Sequence, residues 1–397
     1  MWCPLSRSSN EAAILYQDQV LTYNVCNRLV AGMCASLPRQ GVVAFQPNLD
    51  PASILLFFAC ARKGLIAFPL SERLTKSQVE AVLARTCATF ITPKLCDPEK
   101  PGSCQIDLHA HATYMLTSGS TAAPKIAIHS FANHITSALG VTSYFSLRAT
   151  DSWQLCLPLY HVSGLAILWR CFLTGAAVSI DAPFTHTSLV PTQLARYAPT
   201  CKAILVGGAS LPTALALKYS HLPLYPSYGL TEMSSTVLIK NQPLPYRRVK
   251  IIDQELFVSG PTLFKGYLNE EPPTEWFGTR DLVSPSYEII GRKDRMFISG
   301  GENIYPEVIE RALTQLPHIT AAHVVAVSDP EFGKRPVAFI ESNTYYSLNE
   351  LRAALDPLLP RFQHPIAAFP LNADSGLKVN LQALEAQAIE LTQSLYY

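Results

Sequence analysis

Short apolar runs alternate with amphipathic stretches from Glu11 to about Leu95, and this rhythm sets the expected fold. Gly41-Val42-Val43-Ala44-Phe45 reads as a strand, Ala52 to Lys63 as a buried helix, and Leu65-Ile66-Ala67-Phe68-Pro69-Leu70 as a strand again. Strand–helix–strand units of this kind build a parallel sheet with helices on both faces. Cys96 to His111, rich in Pro, Gly and Asp, reads as a loop.

Beyond it, Tyr114-Met115-Leu116 leads into a polar stretch, Thr117 to Lys125, and Ile126-Ala127-Ile128 alternates out of it. Phe131 to Leu139 is predicted helical and Trp153 to Leu157 a strand ending at Pro158. The segment Leu157-Pro158-Leu159-Tyr160-His161-Val162-Ser163-Gly164-Leu165 opens an apolar helix through Ile167, Leu168 and Trp169, with Arg170 inside it. Ala203 to Val206 is a buried strand closed by Gly207-Gly208-Ala209, where the backbone must approach something closely. Near Gly291-Arg292-Lys293-Asp294-Arg295 the texture changes. Before it the chain is strand-rich, as in Glu255 to Val258. After it, Pro306 starts a helix with Val308, Ile309, Ala312, Leu313 and Leu316 at helical spacing, followed by strands His323 to Val327 and Val337 to Glu341 and a helix from Leu348 to Leu359. The expectation is an α/β chain. A large N-terminal domain, residues 1–293, carries layered α/β sheets and a β-barrel-like part; a small mobile α+β domain spans 294–397, hinged near Asp294.

Composition narrows the classes. A chain of 397 residues exceeds what one core usually supports, and 48% hydrophobic with 15% charged residues describes an ordinary globular protein. A net charge of +1 provides no long-range field for nucleic acid or an anionic membrane, so a phosphate ligand has to be held locally. The ten cysteines are scattered without a C-x-x-C pair, which suits buried free thiols in a reducing compartment. Met1 to Arg7 lacks a basic flank followed by an apolar core, and runs such as Ile54 to Ala59 are far shorter than a bilayer span. A soluble cytoplasmic protein, with no nucleic-acid partner and no stable membrane insertion, is expected.

The polar stretch carries the first chemical signal. Thr117, Ser118, Gly119, Ser120, Thr121 and Lys125 give four hydroxyls, one glycine and one lysine between two strands, a donor-rich loop suited to a nucleotide's charged tail. The G-x-x-x-x-G-K-[ST] spacing of a Walker A loop is missing. Alone, the stretch reads equally well as a Ser/Thr-rich surface turn.

Six elements stand in order: the Thr117–Lys125 loop, the His161 segment, Gly207-Gly208-Ala209, Tyr228-Gly229-Leu230-Thr231-Glu232, Thr279-Arg280-Asp281 and Gly291-Arg292-Lys293-Asp294, with Ser375-Gly376-Leu377-Lys378 near the C-terminus. In this order they resemble the adenylate-forming superfamily of acyl-CoA synthetases, adenylation domains and luciferases. Leu157 to Arg170, Thr279 to Leu282, Ser299 to Pro306, Pro330 to Pro336 and Arg361 to Pro365 are similar to the o-succinylbenzoyl-CoA synthetases of menaquinone biosynthesis. The likeness runs from about Tyr114 onward and is poorer before it, where the chain reads as shortened.

The resemblance implies that a carboxylate attacks the α-phosphate of ATP to give an acyl-adenylate, and that the thiol of CoA then displaces AMP. Lys378, Thr231, Arg292 and His161 are the implied catalytic residues. The implied ATP and AMP contacts are Thr117, Ser118, Gly119, Ser120, Thr121, Lys125, Gly208, Tyr228, Gly229, Thr231, Asp281 and Arg292, with Glu232 on Mg²⁺. His161, Ser163, Arg170, Gly207 and Gly208 would face o-succinylbenzoate, Ser299, Gly300 and Gly301 the pantetheine of CoA, and Asp294 would be the pivot. Arg170 is the substrate clue, because a guanidinium among Leu165, Ile167, Leu168 and Trp169 costs several kcal/mol without an anion or polar network. Its other reading is an arginine snorkelling to the surface. For Asp281 and Arg292 the other reading is a surface ion pair.

Two residues depart from the family pattern: Ala122 stands where glycine is usual, and Ile126 follows Lys125 where glycine is common. Three rivals therefore stay open. They are a CoA ligase for another aromatic or short- to medium-chain acid, a carrier-loading adenylation domain, disfavoured because no carrier module follows Tyr397, and a non-catalytic nucleotide-binding relative. A homodimer is also left open.

Overall fold

The computed structural model describes residue 4 and residues 9–100, 105–117, 124–371 and 379–392. The expected unit is present as strand Val42–Phe45, helix Pro51–Lys63 and strand Ile66–Pro69, the two strands paired in parallel. The helix starts where the Asp50 carboxylate accepts the Ser53 amide at 2.7 Å, with Pro51 in the first turn, where its missing N–H is not needed.

The sheet is not wholly parallel. Its six strands run Gly266–Tyr267, Lys125–Ser130, His111–Thr117, Ile66–Pro69, Val42–Phe45, Thr89–Phe90, and Lys125–Ser130 pairs antiparallel with both of its neighbours. Only residues 118–124 connect it to His111–Thr117. A parallel return needs a crossover of about a dozen residues or more, so this connection can only be a hairpin.

A second sheet of nine strands has parallel strands His186–Leu189, Ala203–Val206 and Leu224–Leu230 side by side, the last turning back through antiparallel Ser235–Ile239. Between the two sheets lies one core. It draws on Val43, Phe45 and Ala67 from the first sheet, Ile14, Trp153, Val178 and Leu205 from the second, and helices Tyr23–Ser36, Pro51–Lys63, Phe131–Phe145 and Val162–Thr174. Phe58 sits at its centre, 5.0 Å from the Phe172 ring and 5.5 Å from Trp169. The outer face of the first sheet packs under helix Lys76–Thr86, and that of the second under helices Pro191–Arg196 and Thr213–Lys218. The layers therefore alternate helix and sheet.

The strand-rich stretch before residue 294 forms a four-stranded antiparallel sheet, Arg248–Ile252, Glu255–Ser259, Phe277–Val283 and Ile289–Arg292. Past it, Phe297–Ser299, Glu302–Ile304, Ile319–Asp329, Gly333–Ser342 and Ala367–Pro370 make a separate sheet with hydrophobic clusters of its own. Two of these strands outrun the expectation because they pair with each other along nearly their full lengths. Helix Leu348–Leu355 stops short of Leu359, since Pro357 supplies no amide hydrogen to continue it. Among the described residues no helix is long and apolar enough to cross a membrane.

Phe58→Ala should lower the unfolding free energy by about 3–5 kcal/mol, and Asp50→Ala by about 1 kcal/mol, read as shifts of the urea midpoint at unchanged slope. Equal shifts for the two variants would contradict the central place of Phe58.

Candidate active site

The parallel strands of the nine-stranded sheet end together, and ligands of open α/β sheets bind outside such carboxyl ends. Strand Leu224–Leu230 carries Tyr228 and Gly229 and passes into a tight turn, Thr231–Met233. Beside it, Gly207 follows strand Ala203–Val206, and a Cβ there would lie 2.6 Å from Ser227 Oγ, so the close approach expected of this glycine is to its neighbouring strand. Gly208 follows with φ +81°.

The turn is fixed from the other sheet. His129 Nε2 lies 2.7 Å from the Thr231 carbonyl, the Phe264 amide donates to the Glu232 carbonyl at 2.8 Å, and the Tyr267 hydroxyl donates to Glu232 Oε1 at 2.5 Å. Burial, then the Glu232 carboxylate, push the Tyr267 hydroxyl pKa upward. Neither the Thr231 hydroxyl nor Glu232 Oε2 has a hydrogen-bond partner among the described residues. Lys125 opens strand Lys125–Ser130, stands 4.6 Å from the Tyr267 ring and pairs with Glu270 at 2.9 Å. Thr117 faces it across the hairpin.

A second group adjoins the first. The Tyr228 hydroxyl donates to Asp281 Oδ2 at 2.5 Å, and Arg292 Nη1 donates to Asp281 Oδ1 at 3.2 Å. The same guanidinium grips Asp294 through Nε at 3.0 Å and Nη2 at 2.8 Å. Asp281 is 8% exposed, so it is not half of a surface ion pair. Burial raises its pKa, with Tyr228 and Arg292 holding the rise back; Asp294, where burial acts in the same direction, is held below the usual range by Arg292. Arg292 is raised by Asp294 first and Asp281 after it.

Arg170 does not reach the surface. It is 1% exposed, donates to Ser235 Oγ at 3.4 Å and Thr236 Oγ1 at 3.2 Å, and lies 4.9 Å from the Trp153 ring. Among the described residues no carboxylate pairs with it and its Nε is unpartnered. Burial brings its pKa down to about 10. Arg247, which sequence reasoning missed, is the neighbouring buried guanidinium. Its pKa falls to about 9 by burial and then by the charge of Arg170, and its donors go to the carbonyls of Thr236, Pro245, Thr136 and Ser137. His161 caps helix Val162–Thr174 and Ser163 lies in its first turn. At ~1.5 Å per residue the backbone of Arg170 is about 14 Å along that axis from His161, so the structure separates these two.

Gly300 and Gly301 form the turn between strands Phe297–Ser299 and Glu302–Ile304, with φ +56° and +88°, values that glycine adopts without strain. Ser118, Gly119, Ser120, Thr121 and Lys378 lie outside the described residues, as does Ala122. Tyr267 and His129 also escaped the sequence reading. His129 had a usable signal, because residues two apart on a strand share a face and Lys125, Ala127 and His129 therefore line one side.

Among known proteins, the family described as AMP-binding enzyme matches residues 92–268. The 2-succinylbenzoate–CoA ligase of Salmonella typhimurium is 33% identical over 96% of this chain and 96% of its own length. A variant of E. coli MenE with bound OSB-AMS has a TM-score of 0.85 at 28% identity, covering 98% of each chain. The fold is shared with the o-succinylbenzoate coenzyme A synthetase of Bacillus subtilis in complex with ATP and magnesium ion, with a TM-score of 0.81 at 23% identity over 94% of this chain and 96% of that one.

Because its folded value is raised, ionised Asp281 opposes folding at neutral pH, and the penalty is relieved as pH falls through that value. In carbon-13 carboxyl titrations of the unliganded protein, Asp281 should titrate above the usual carboxylate range, and higher still in Arg292→Met. A lower midpoint in that variant would contradict the geometry.

Proposed function

The chain belongs to the 2-succinylbenzoate–CoA ligase family of AMP-binding enzymes, and on that premise we propose how its own residues divide the work. The reaction is the ATP-dependent ligation of o-succinylbenzoate to CoA through an acyl-adenylate, releasing AMP and pyrophosphate, a step of menaquinone biosynthesis. The observation that carries the assignment of roles is the bonded group Tyr228–Asp281–Arg292 beside the open hydroxyl of Thr231 and the open oxygen of Glu232.

In the first half-reaction a carboxylate oxygen of the acid attacks the α-phosphorus and pyrophosphate leaves. Negative charge builds on phosphate oxygens, so fixed cations and donors supply most of the acceleration. Tyr228 offers its ring to adenine, and Asp281 accepts from the ribose hydroxyls. Arg292 holds ribose or phosphate from the far side, and Thr231 donates to the α-phosphate. Lys125 and the hydroxyls of Thr117, Ser118, Ser120 and Thr121, with Gly119, wrap the triphosphate, which exchanges the Glu270 carboxylate on Lys125 for phosphate oxygen. Gly208 and Gly229 keep the backbone close to the nucleotide.

Glu232 fits Mg²⁺, because a hard cation takes carboxylate oxygen and Oε2 is uncommitted while Tyr267 fixes Oε1. When bound, the ion neutralises triphosphate oxygens. Lys378 brings its ammonium between the acyl carboxylate and the α-phosphate.

In the second half-reaction the CoA thiolate attacks the acyl carbon and the C–O bond to AMP breaks. Residues 294–397 act as a lid turning about Asp294. The Ser299-Gly300-Gly301 turn then lines the pantetheine path. His161 and Ser163 flank the aromatic ring and keto group, with Gly207 beside them. Arg170 compensates the carboxylate that is not activated; buried without an acid partner, it favours an anion there over a neutral group. The ligase works as a cytoplasmic enzyme on these small molecules, either alone or as a homodimer.

AMP release measured with o-succinylbenzoate, benzoate and medium-chain acids tests the substrate reading: o-succinylbenzoate should have the highest kcat/KM. Arg170→Met should lower that value by about tenfold or more, the scale of one lost charged contact, while leaving the slow benzoate rate unchanged. Equal losses for both acids would contradict the role of Arg170. Lys378→Ala should slow adenylation by roughly 10²–10³-fold yet spare CoA transfer from preformed acyl-adenylate; equal slowing of both steps would place Lys378 elsewhere.

A further inference from the structure

Behind the Thr231–Met233 turn two histidines lie in the interior, His129 at 0% and His134 at 2% exposure. A carbonyl oxygen only accepts, so the 2.7 Å contact of His129 Nε2 with Thr231 fixes the tautomer: Nε2 carries the hydrogen and Nδ1 is bare. His134 stands with its ring 5.0 Å from that of His129, bonds the Thr113 hydroxyl through Nε2 at 2.7 Å, and stacks on the Trp169 indole at an interplanar angle of 6°. The Nδ1 atoms of both histidines and Nε1 of Trp169 have no hydrogen-bond partner among the described residues. An apolar side chain of similar size would fill this space without the penalty of a bare buried nitrogen. The cost falls beside the turn that bears Thr231 and Glu232.

The same turn accepts two backbone donors, the Ser234 amide on the Thr231 carbonyl at 3.0 Å and the Phe264 amide on the Glu232 carbonyl at 2.8 Å. His129 is the side chain that completes this set on the backbone of the turn, and its strand also begins with Lys125. We infer that His129 is a positioning residue for the adenylation step. Its Nε2–H holds the Thr231 carbonyl so that the turn presents the Thr231 hydroxyl and the Glu232 carboxylate to the nucleotide, and His134 with Trp169 holds the ring at its angle. The inference rests on the reading of Thr231 and Glu232 as nucleotide contacts. Since the bond is made to backbone, its loss shifts the turn and slows chemistry without touching the pocket for the acid.

The test is exchange of labelled pyrophosphate into ATP with o-succinylbenzoate present, in the full chain and in His129→Gln, His129→Asn, His129→Leu and Thr231→Ala. Glutamine reaches its amide N–H to the position of imidazole Nε2, asparagine stops near that of Nδ1, and leucine has no donor. The Gln variant should keep exchange within about threefold of the parent, whereas the Asn and Leu variants should lose about tenfold or more in kcat, with KM for o-succinylbenzoate within about twofold. Should the Leu variant not fold, Gln against Asn, alike in polarity, decides. Equal exchange in Gln and Asn variants, or a loss appearing mainly as a higher KM for the acid, overturns the inference. Parent-level exchange in Thr231→Ala removes the premise and the inference with it, while a fall there beside full exchange in the Asn variant counts against His129 alone.

Discussion

The structure depends on a seam where one sheet fixes the end of another. Strand Leu224–Leu230 of the nine-stranded sheet would otherwise finish in a short turn with carbonyls to satisfy, and buried carbonyls without partners are costly. The six-stranded sheet and the segment that returns to its edge supply those partners, His129 and the Phe264 amide, and the Tyr267 hydroxyl holds the Glu232 carboxylate beside them. Helix Phe131–Phe145 follows directly from strand Lys125–Ser130 and packs against helix Val162–Thr174, so the core between the sheets sets the spacing at which the seam closes. The apolar core thereby fixes where the Thr231 hydroxyl and the Glu232 carboxylate lie, with Lys125 held over the Tyr267 ring beside them.

Around the seam the charges are arranged against stability. Arg170 and Arg247 are both buried, both shifted downward, and neither has a carboxylate partner among the described residues. Asp281 is shifted upward in the opposite sense. Buried charges of this kind are costly on stability grounds alone; Arg247 offsets the cost with four backbone carbonyls, whereas Arg170 keeps Nε without a partner among the described residues. Arg292 adds a mechanical consequence. One guanidinium serves both Asp281 and Asp294, so the two carboxylates are tied together through a single side chain.

Much of this was legible in the sequence. Apolar runs located Val42–Phe45, Pro51–Lys63 and Ala203–Val206 nearly to the residue, because strands of parallel sheets and a helix enclosed in the core are apolar on every side. The ordered motifs gave the family. Pairing was not legible: Tyr267 meets Glu232 across 35 residues, Arg170 meets Thr236 across 66 and His129 meets Thr231 across 102. Periodicity tells which face a side chain is on, and nothing about which distant strand closes over that face. The antiparallel return after the Thr117–Lys125 loop was the readable exception, since loop length alone excludes a crossover.

In the ligation the acid's oxygen bonds to phosphorus before sulfur reaches carbon. Single-turnover ligation of o-succinylbenzoate carrying oxygen-18 in both oxygens of the activated carboxylate, with the products read by mass spectrometry, tests this directly. One labelled oxygen is expected in AMP for each thioester formed, and none in pyrophosphate. Unlabelled AMP, with label appearing instead in pyrophosphate or in released phosphate, would contradict it.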